Sequence, residues 1–211
     1  MHYFLLSCNS INQYAENFLL LLGKGRGKDF GLNTIKQQMV HLGVISNKTN
    51  KDSDGNNDNN SGEFNQHDGS GLSRMNFISA NIIVRLLNAL SNKNNNSDSI
   101  NILHEFGSFS SLLPSNCAIG SLHSRLCALP KGIITGKTGT MTGISALSGY
   151  IHSLSSSGKT SDVIEKDTAV FSIIVNNSEL SQIDREAVID EIISLLVQHV
   201  EINANKAGLQ N

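Results

Sequence analysis

Residues 132 to 151, GIITGKTGTMTGISALSGYI, leave a polypeptide little choice of structure. Ile144, Ala146, Ser148 and Tyr150 alternate with Ser145, Leu147, Gly149 and Ile151, the period of a pleated strand with one buried face. Thr142 and Gly143 are turn formers, so the stretch predicts a hairpin of two antiparallel strands. Lys137, Thr138, Gly139 and Thr140 then lie along the first strand. A lysine beside two hydroxyls can hold a carboxylate, and a glycine admits a ligand close to the backbone. Gly-Lys-Thr is not a phosphate loop, because that motif needs a glycine where Lys131 stands.

The other elements follow from apolar periodicity. SINQYAENFLLLLG at 10–23 predicts a helix from Asn12 to Leu22 with Tyr14, Phe18 and Leu22 inward. Ser10 stands before it, and a cap there is worth about 1 kcal/mol. KGRGK at 24–28 reads as a solvated basic turn. A second helix is expected over Asn33–Gly43 with Ile35, Met39 and Leu42 inward. In HDGSGLSRMNFIS, residues 67–79, Asp68 is expected to bond its own loop backbone. Ser79 then caps a helix over Ala80–Leu90 with Ile83, Leu86, Leu87 and Leu90 buried. A short helix is expected over Ile100–Phe106. Arg125 in GSLHSRL, residues 120–126, suits either a structural ion pair or a substrate carboxylate. AVFSIIV at 169–175 has the unbroken apolar character of a central strand. SQID at 181–184 is a capping box for a last helix lined by Ile189, Ile192, Ile193, Leu196 and Val200.

Several function classes are excluded on composition. The 211 residues suffice for one domain with a substantial core, and a net charge of -2 offers no basic face to nucleic acid. Residues 46–66 are almost all polar and predict a floppy, Asn-rich insertion. MHYFLLSC has neither the length of a membrane span nor the basic start of a secretory leader. Cys8, Cys117 and Cys127 are odd in number and lack metal spacing, which favours buried thiols over a Cys117–Cys127 bridge. The histidines form no HExxH or paired spacing, so neither a metal nor a cofactor is expected.

Ser10-x-Asn12 followed by YAE, then DGSGLSR, G-S-L-x-x-R, GKTGT and LSGY, occur in an order that resembles the D-alanyl-D-alanine carboxypeptidases and endopeptidases of the class C penicillin-binding proteins. The resemblance spans roughly residues 5 to 200. It implies an α+β, β-lactamase/transpeptidase-like fold, an antiparallel sheet flanked by helices. It also implies hydrolysis of peptidoglycan stem peptides through an acyl-enzyme, with β-lactams as inhibitors. Ser10 would shuttle protons to the leaving amine. Asn12 would bond the substrate amide or orient the lysine of the nucleophile motif, and Lys137 would support Ser10 electrostatically. Thr138, Gly139 and Thr140 would bind the substrate carboxylate, the Thr140 N–H serving as an oxyanion donor.

The family places a Ser-x-x-Lys nucleophile motif before Ser-x-Asn, and only nine residues precede Ser10. A single such string, Ser156–Lys159, follows the Lys-Thr-Gly strand in a polar connection. The expectation is therefore the C-terminal portion of such a domain over residues 1–202, with a polar tail at 203–211. The first two strands of a five-stranded sheet would be missing, and the chain would be silent alone. A missing N-terminal half would be its partner. A non-catalytic muropeptide-binding module and a serine β-lactamase relative are the alternatives, the YAE and DGSGLSR stretches arguing against the latter. Periplasm or cell envelope is the location that the resemblance implies.

Overall fold

The structure, a computed structural model, describes residues 10–46, 64–91, 108–152 and 167–208. The expected helix over 100–106, most of the Asn-rich insertion, Cys8 and Ser156–Lys159 lie outside them. The chain forms two compact units, residues 11–95 and residues 1–10 with 96–211.

In the 11–95 unit, helix α1 (Asn12–Leu22) has the bounds the sequence predicts, but its buried residue is Leu19, and Leu22, expected inward, is exposed. Helix α2 (Lys28–His41) begins five residues earlier than the expected Asn33. Gly27, at φ 90°, turns the chain into α2, and Asp29 in the first turn favours its positive end, so the basic turn stops at Gly27. Met39, Val44, Ile45 and Ile82 form the core of this unit, packed by Ile35, Phe64 and Leu86. Two short strands, β1 (Phe64–Asn65) and β2 (Phe77–Ile78), pair antiparallel and close the loop between them. Helix α3 (Ala80–Ser91) starts where expected, with the Ile82 N–H donating to Ser79 Oγ at 3.2 Å. Its buried residues are Ile82 and Leu87, so the inward stripe is rotated from the expected one toward Ile82.

The other unit is built on an antiparallel sheet in the order β3-β4-β5. β3 (Ile134–Met141) and β4 (Ile144–His152) form the expected hairpin, joined at Thr142–Gly143, with Lys137 opposite Ser148 and Thr138 opposite Leu147. β5 (Asp167–Val175) pairs with β4, and Ser172 lies opposite Ser148. Among the described residues, 169–175 lie at an edge of the sheet and not at its centre. Among the described residues β5 has a neighbour on one side only, and Phe171 alone of residues 169–175 is buried.

Helix α4 (Gln182–Gly208) packs across the sheet and runs past residue 202. Its start carries the expected box, with Ser181 Oγ donating to Asp184 Oδ2 at 2.7 Å and the Asp184 N–H donating to Ser181 Oγ at 3.2 Å. The buried stripe is Ile189, Ile193 and Val197 against Ile134, Leu147, Ile151 and Phe171. Ile192 and Leu196, expected inward, are 39% and 36% exposed. With Val188 and Leu195 they form an apolar flank, while Glu186 and Asp190 occupy the opposite flank and bind Arg125.

Cys117 and Cys127 form a disulfide, not the buried thiols expected from their number. Cys127 is exposed, and the two Cα atoms are 4.9 Å apart, within the span of a bridge. The loop it closes is pinned by Asn116, which is fully buried. Asn116 Nδ2 donates to the carbonyls of Leu126 and Pro130, both at 3.1 Å, and its Oδ1 accepts the Ile134 N–H at 2.9 Å. Every polar atom of that side chain is therefore satisfied, as a buried amide requires.

Candidate active site

Strand β3 sets the site. In an antiparallel strand the N–H and C=O of one residue point to the same edge, and successive residues alternate. The outward N–H groups of Ile134 and Gly136 donate to Asn116 Oδ1 at 2.9 Å and the Pro114 carbonyl at 2.9 Å. By the same alternation Thr138 and Thr140 present their backbone groups to that outer edge, beyond the covering loop. Burial falls along the strand to match: Ile134, Thr135 and Gly136 are buried, Lys137 and Thr138 half-buried, Gly139 and Thr140 exposed.

Lys137 Nζ donates to Ser10 Oγ at 2.7 Å, joining residues 127 positions apart in the chain, and to the Thr138 carbonyl at 2.7 Å. Both acceptors are uncharged. Burial accordingly pushes the Lys137 ammonium below the ordinary lysine value of 10.5. Ser10, at φ 52°, is not a helix cap: Ile11 occupies that position in α1, without a side-chain capping bond. The arrangement is thus a hydroxyl beside an amine that releases its proton more readily than a free lysine, which is the composition of a proton relay.

Thr138 Oγ1 donates to Ser121 Oγ at 2.8 Å. Ser148 and Ser172 continue a polar row across the sheet from Lys137, with their hydroxyls 2.9 Å apart. Among the described residues a Cβ at Gly139 would meet only Ala146 Cβ, at 3.8 Å, an ordinary contact. Space over the backbone is what glycine adds. Asn12 opens α1 in the other unit. Ser10, Lys137, Thr138, Gly139 and Thr140 all belong to the sheet unit.

Three motifs serve structure. Arg125 donates from Nη2 to Asp190 Oδ1 at 2.6 Å and from Nε to Asp190 Oδ2 at 3.2 Å, with Glu186 3.6 Å away, so its guanidinium is engaged within the chain. In the 11–95 unit, Glu16 of the YAE stretch accepts the N–H groups of Gly69 at 3.1 Å and Ser70 at 2.9 Å. A Cβ on Gly69 would sit 2.5 Å from the Ala15 carbonyl oxygen, so the loop closes on α1 only with glycine there. Asp68 binds its own loop as expected, accepting from Gly71 N–H at 2.8 Å, Ser73 N–H at 2.6 Å and Asn76 Nδ2 at 2.7 Å. Burial raises its carboxyl, but the bonds from Asn76, Ser73 and Gly71 and the charge of Lys28 outweigh that, and the net shift is downward.

The missed residues are Ser121, Asn116 and Glu16. Only the serine of G-S-L-x-x-R and the glutamate of YAE carried a signal in the sequence, as motif members without a role.

Among the described residues no group of three or more His, Cys, Asp or Glu could hold a metal, and no helix is long and apolar enough to cross a membrane.

The α+β fold, helices against an antiparallel sheet, is of the penicillin-binding protein class. Two crystal structures of penicillin-binding protein 4 from Haemophilus influenzae, one complexed with a novel β-lactam, share it. They match with TM-scores of 0.59 and 0.62 at 17% and 16% identity. The matches cover 87% and 93% of this chain and 36% and 39% of theirs. Residues 59–198 match the D-Ala-D-Ala carboxypeptidase 3 (S13) family, and the chain belongs to it. It is also 34% identical over 139 residues to penicillin-sensitive carboxypeptidase A of Dictyostelium discoideum. That match takes in 65% of this chain and 24% of the relative, so the chain spans about a quarter of the relative's length. Lys137, Thr138, Gly139, Thr140 and Ser121 fall inside the family match; Ser10 and Asn12 precede it.

Proposed function

We propose that this chain carries part of the active site of a serine D-Ala-D-Ala carboxypeptidase/endopeptidase acting on peptidoglycan stem peptides, and that these 211 residues alone are catalytically silent. The observation that carries the reading is the 2.7 Å bond between Lys137 Nζ and Ser10 Oγ. An amine with lowered proton affinity can take the proton of a hydroxyl and return it, so Ser10 passes a proton to the departing amine of the terminal D-alanine. The substrate carboxylate lies against Lys137 and the hydroxyls of Thr138 and Thr140. Gly139 leaves room for it. The Thr140 N–H on the open strand edge donates to the oxyanion, and Asn12 bonds the substrate amide or orients the lysine of the nucleophile motif. β-Lactams, which present a carboxylate beside a reactive carbonyl, occupy the same contacts. The working compartment is the periplasm or cell envelope.

Silence follows from the nucleophile. The family's Ser-x-x-Lys stands before Ser-x-Asn, and the string Ser156–Lys159 stands after Lys-Thr-Gly. The test is D-alanine release from a D-Ala-D-Ala peptide by the purified chain and by Lys137→Ala. No release is expected from either. Release by the wild type that Lys137→Ala abolishes would overturn silence and support the site. Release unaffected by Lys137→Ala would overturn the site.

A second reading, a non-catalytic muropeptide-binding module, is favoured by the assembly of Ser10, Lys137, Thr138 and Ser121 within one unit. It predicts saturable, reversible binding of the peptide without turnover, and calorimetry showing no saturable heat would remove it.

A further inference from the structure

We propose that Ser121 is a positioning residue of the ligand-binding strand, fixing the Thr138 hydroxyl and changing from acceptor to donor when Thr138 takes up a carboxylate. The consequence for ligands rests on the site proposed above; the positioning itself does not.

The turn that carries Ser121 is held on every side. Gly120, at φ 67°, adopts the left-handed conformation that starts the 3-10 turn Gly120–Leu122. Leu122 is fully buried in the sheet core and anchors the turn from beneath. Upstream, Asn116 ties the loop to the start of β3, and the Cys117 N–H donates to the Leu122 carbonyl at 3.0 Å. Downstream, Arg125 is clamped by Asp190 on α4. Cys117–Cys127 closes the loop around it. A side chain on so constrained a backbone has a fixed place, and that place is 2.8 Å from Thr138 Oγ1.

The direction of that bond is what matters. Without ligand, Thr138 donates to Ser121. A carboxylate accepts only, so Thr138 must turn its proton toward the ligand, and its own oxygen then accepts a hydrogen bond from the Ser121 hydroxyl. Both hydroxyls stay satisfied, and the Ser121 donor strengthens the Thr138 donor by polarising it. Without the Ser121 hydroxyl, Thr138 loses both its resting partner and that support.

The test is made on the full chain. Three-bond couplings from the Thr138 methyl carbon to the backbone nitrogen and carbonyl report its side-chain rotamer. One rotamer is expected in the wild type and in Ser121→Thr, and averaged couplings in Ser121→Ala. Ser121→Cys, which keeps the volume but bonds weakly, gives the same reading if Ser121→Ala does not fold. Unchanged couplings in a folded variant lacking the hydroxyl overturn the proposal. The same proteins are titrated with N-acetyl-D-Ala-D-Ala and with its C-terminal amide. Loss of the hydroxyl should weaken the acid by about tenfold, as for a hydrogen bond to a charged group, and weaken the neutral amide less. Ser121→Thr should restore the acid. Equal weakening of acid and amide overturns the proposed switch. If the wild type binds neither while the couplings respond as expected, positioning stands and the proposed function fails.

Discussion

At the scale of single residues, two charged side chains are held by bonds that can each be removed. Lys137 is bonded to uncharged oxygens and releases its proton below the ordinary value of 10.5. Between its folded value and 10.5 the unfolded chain therefore binds more protons than the folded one, and stability rises with pH. Lys137→Met should flatten that rise in urea titrations on the alkaline side while leaving the acid limb alone; an unchanged slope would contradict the desolvation of Lys137. Glu16 is the other case. Its carboxylate takes two backbone N–H groups of the Gly69–Ser70 loop, so Glu16→Ala leaves both donors without their partner and should cost about 1–3 kcal/mol in unfolding free energy. Exposed neighbours such as Gln13 provide the control, with effects within about 0.5 kcal/mol.

At the scale of elements, the hairpin and the bounds of α1 were legible from local periodicity, and the start of α3 from its Ser79 cap. What escaped depends on chain segments meeting. Glu16 is 53 positions from Gly69, so no spacing rule links them; the pairing of Ser10 with Lys137, 127 positions apart, follows from the family resemblance and not from any spacing. Asn116 was hidden by composition, since it resembles the asparagines that crowd 47–60 and 92–96, yet it is fully buried and fully bonded. The α4 stripe was misjudged because periodicity gives an apolar arc but not which part of it the sheet covers. The disulfide escaped because an odd cysteine count says nothing of which pair is close. Cys127→Ser should lower unfolding free energy by about 2–3 kcal/mol, the worth of closing a loop of this size. Dithiothreitol should do the same to the wild type and nothing further to the variant; a wild type insensitive to reductant would exclude the bridge.

At the scale of the molecule, the chain spans 24% of the curated relative and 36–39% of the similar crystal structures, and among the described residues the outer edge of β5 has no neighbouring strand. Beyond Asp167 at its start, β5 contains no Lys, Pro or acidic residue, the usual guards of an edge strand. The apolar flank of α4, with Leu195 60% exposed, adds to that surface. The purified chain should therefore grow in mass with concentration by light scattering. Ile192→Glu combined with Leu195→Lys should reduce the growth, and a wild type of constant mass would count against an uncovered surface. Such a surface also makes folding obey mass action: whatever covers it binds the native state and not the unfolded one. The midpoint of a thermal scan would then move upward with protein concentration, and each melting temperature would measure an association equilibrium as well as a fold.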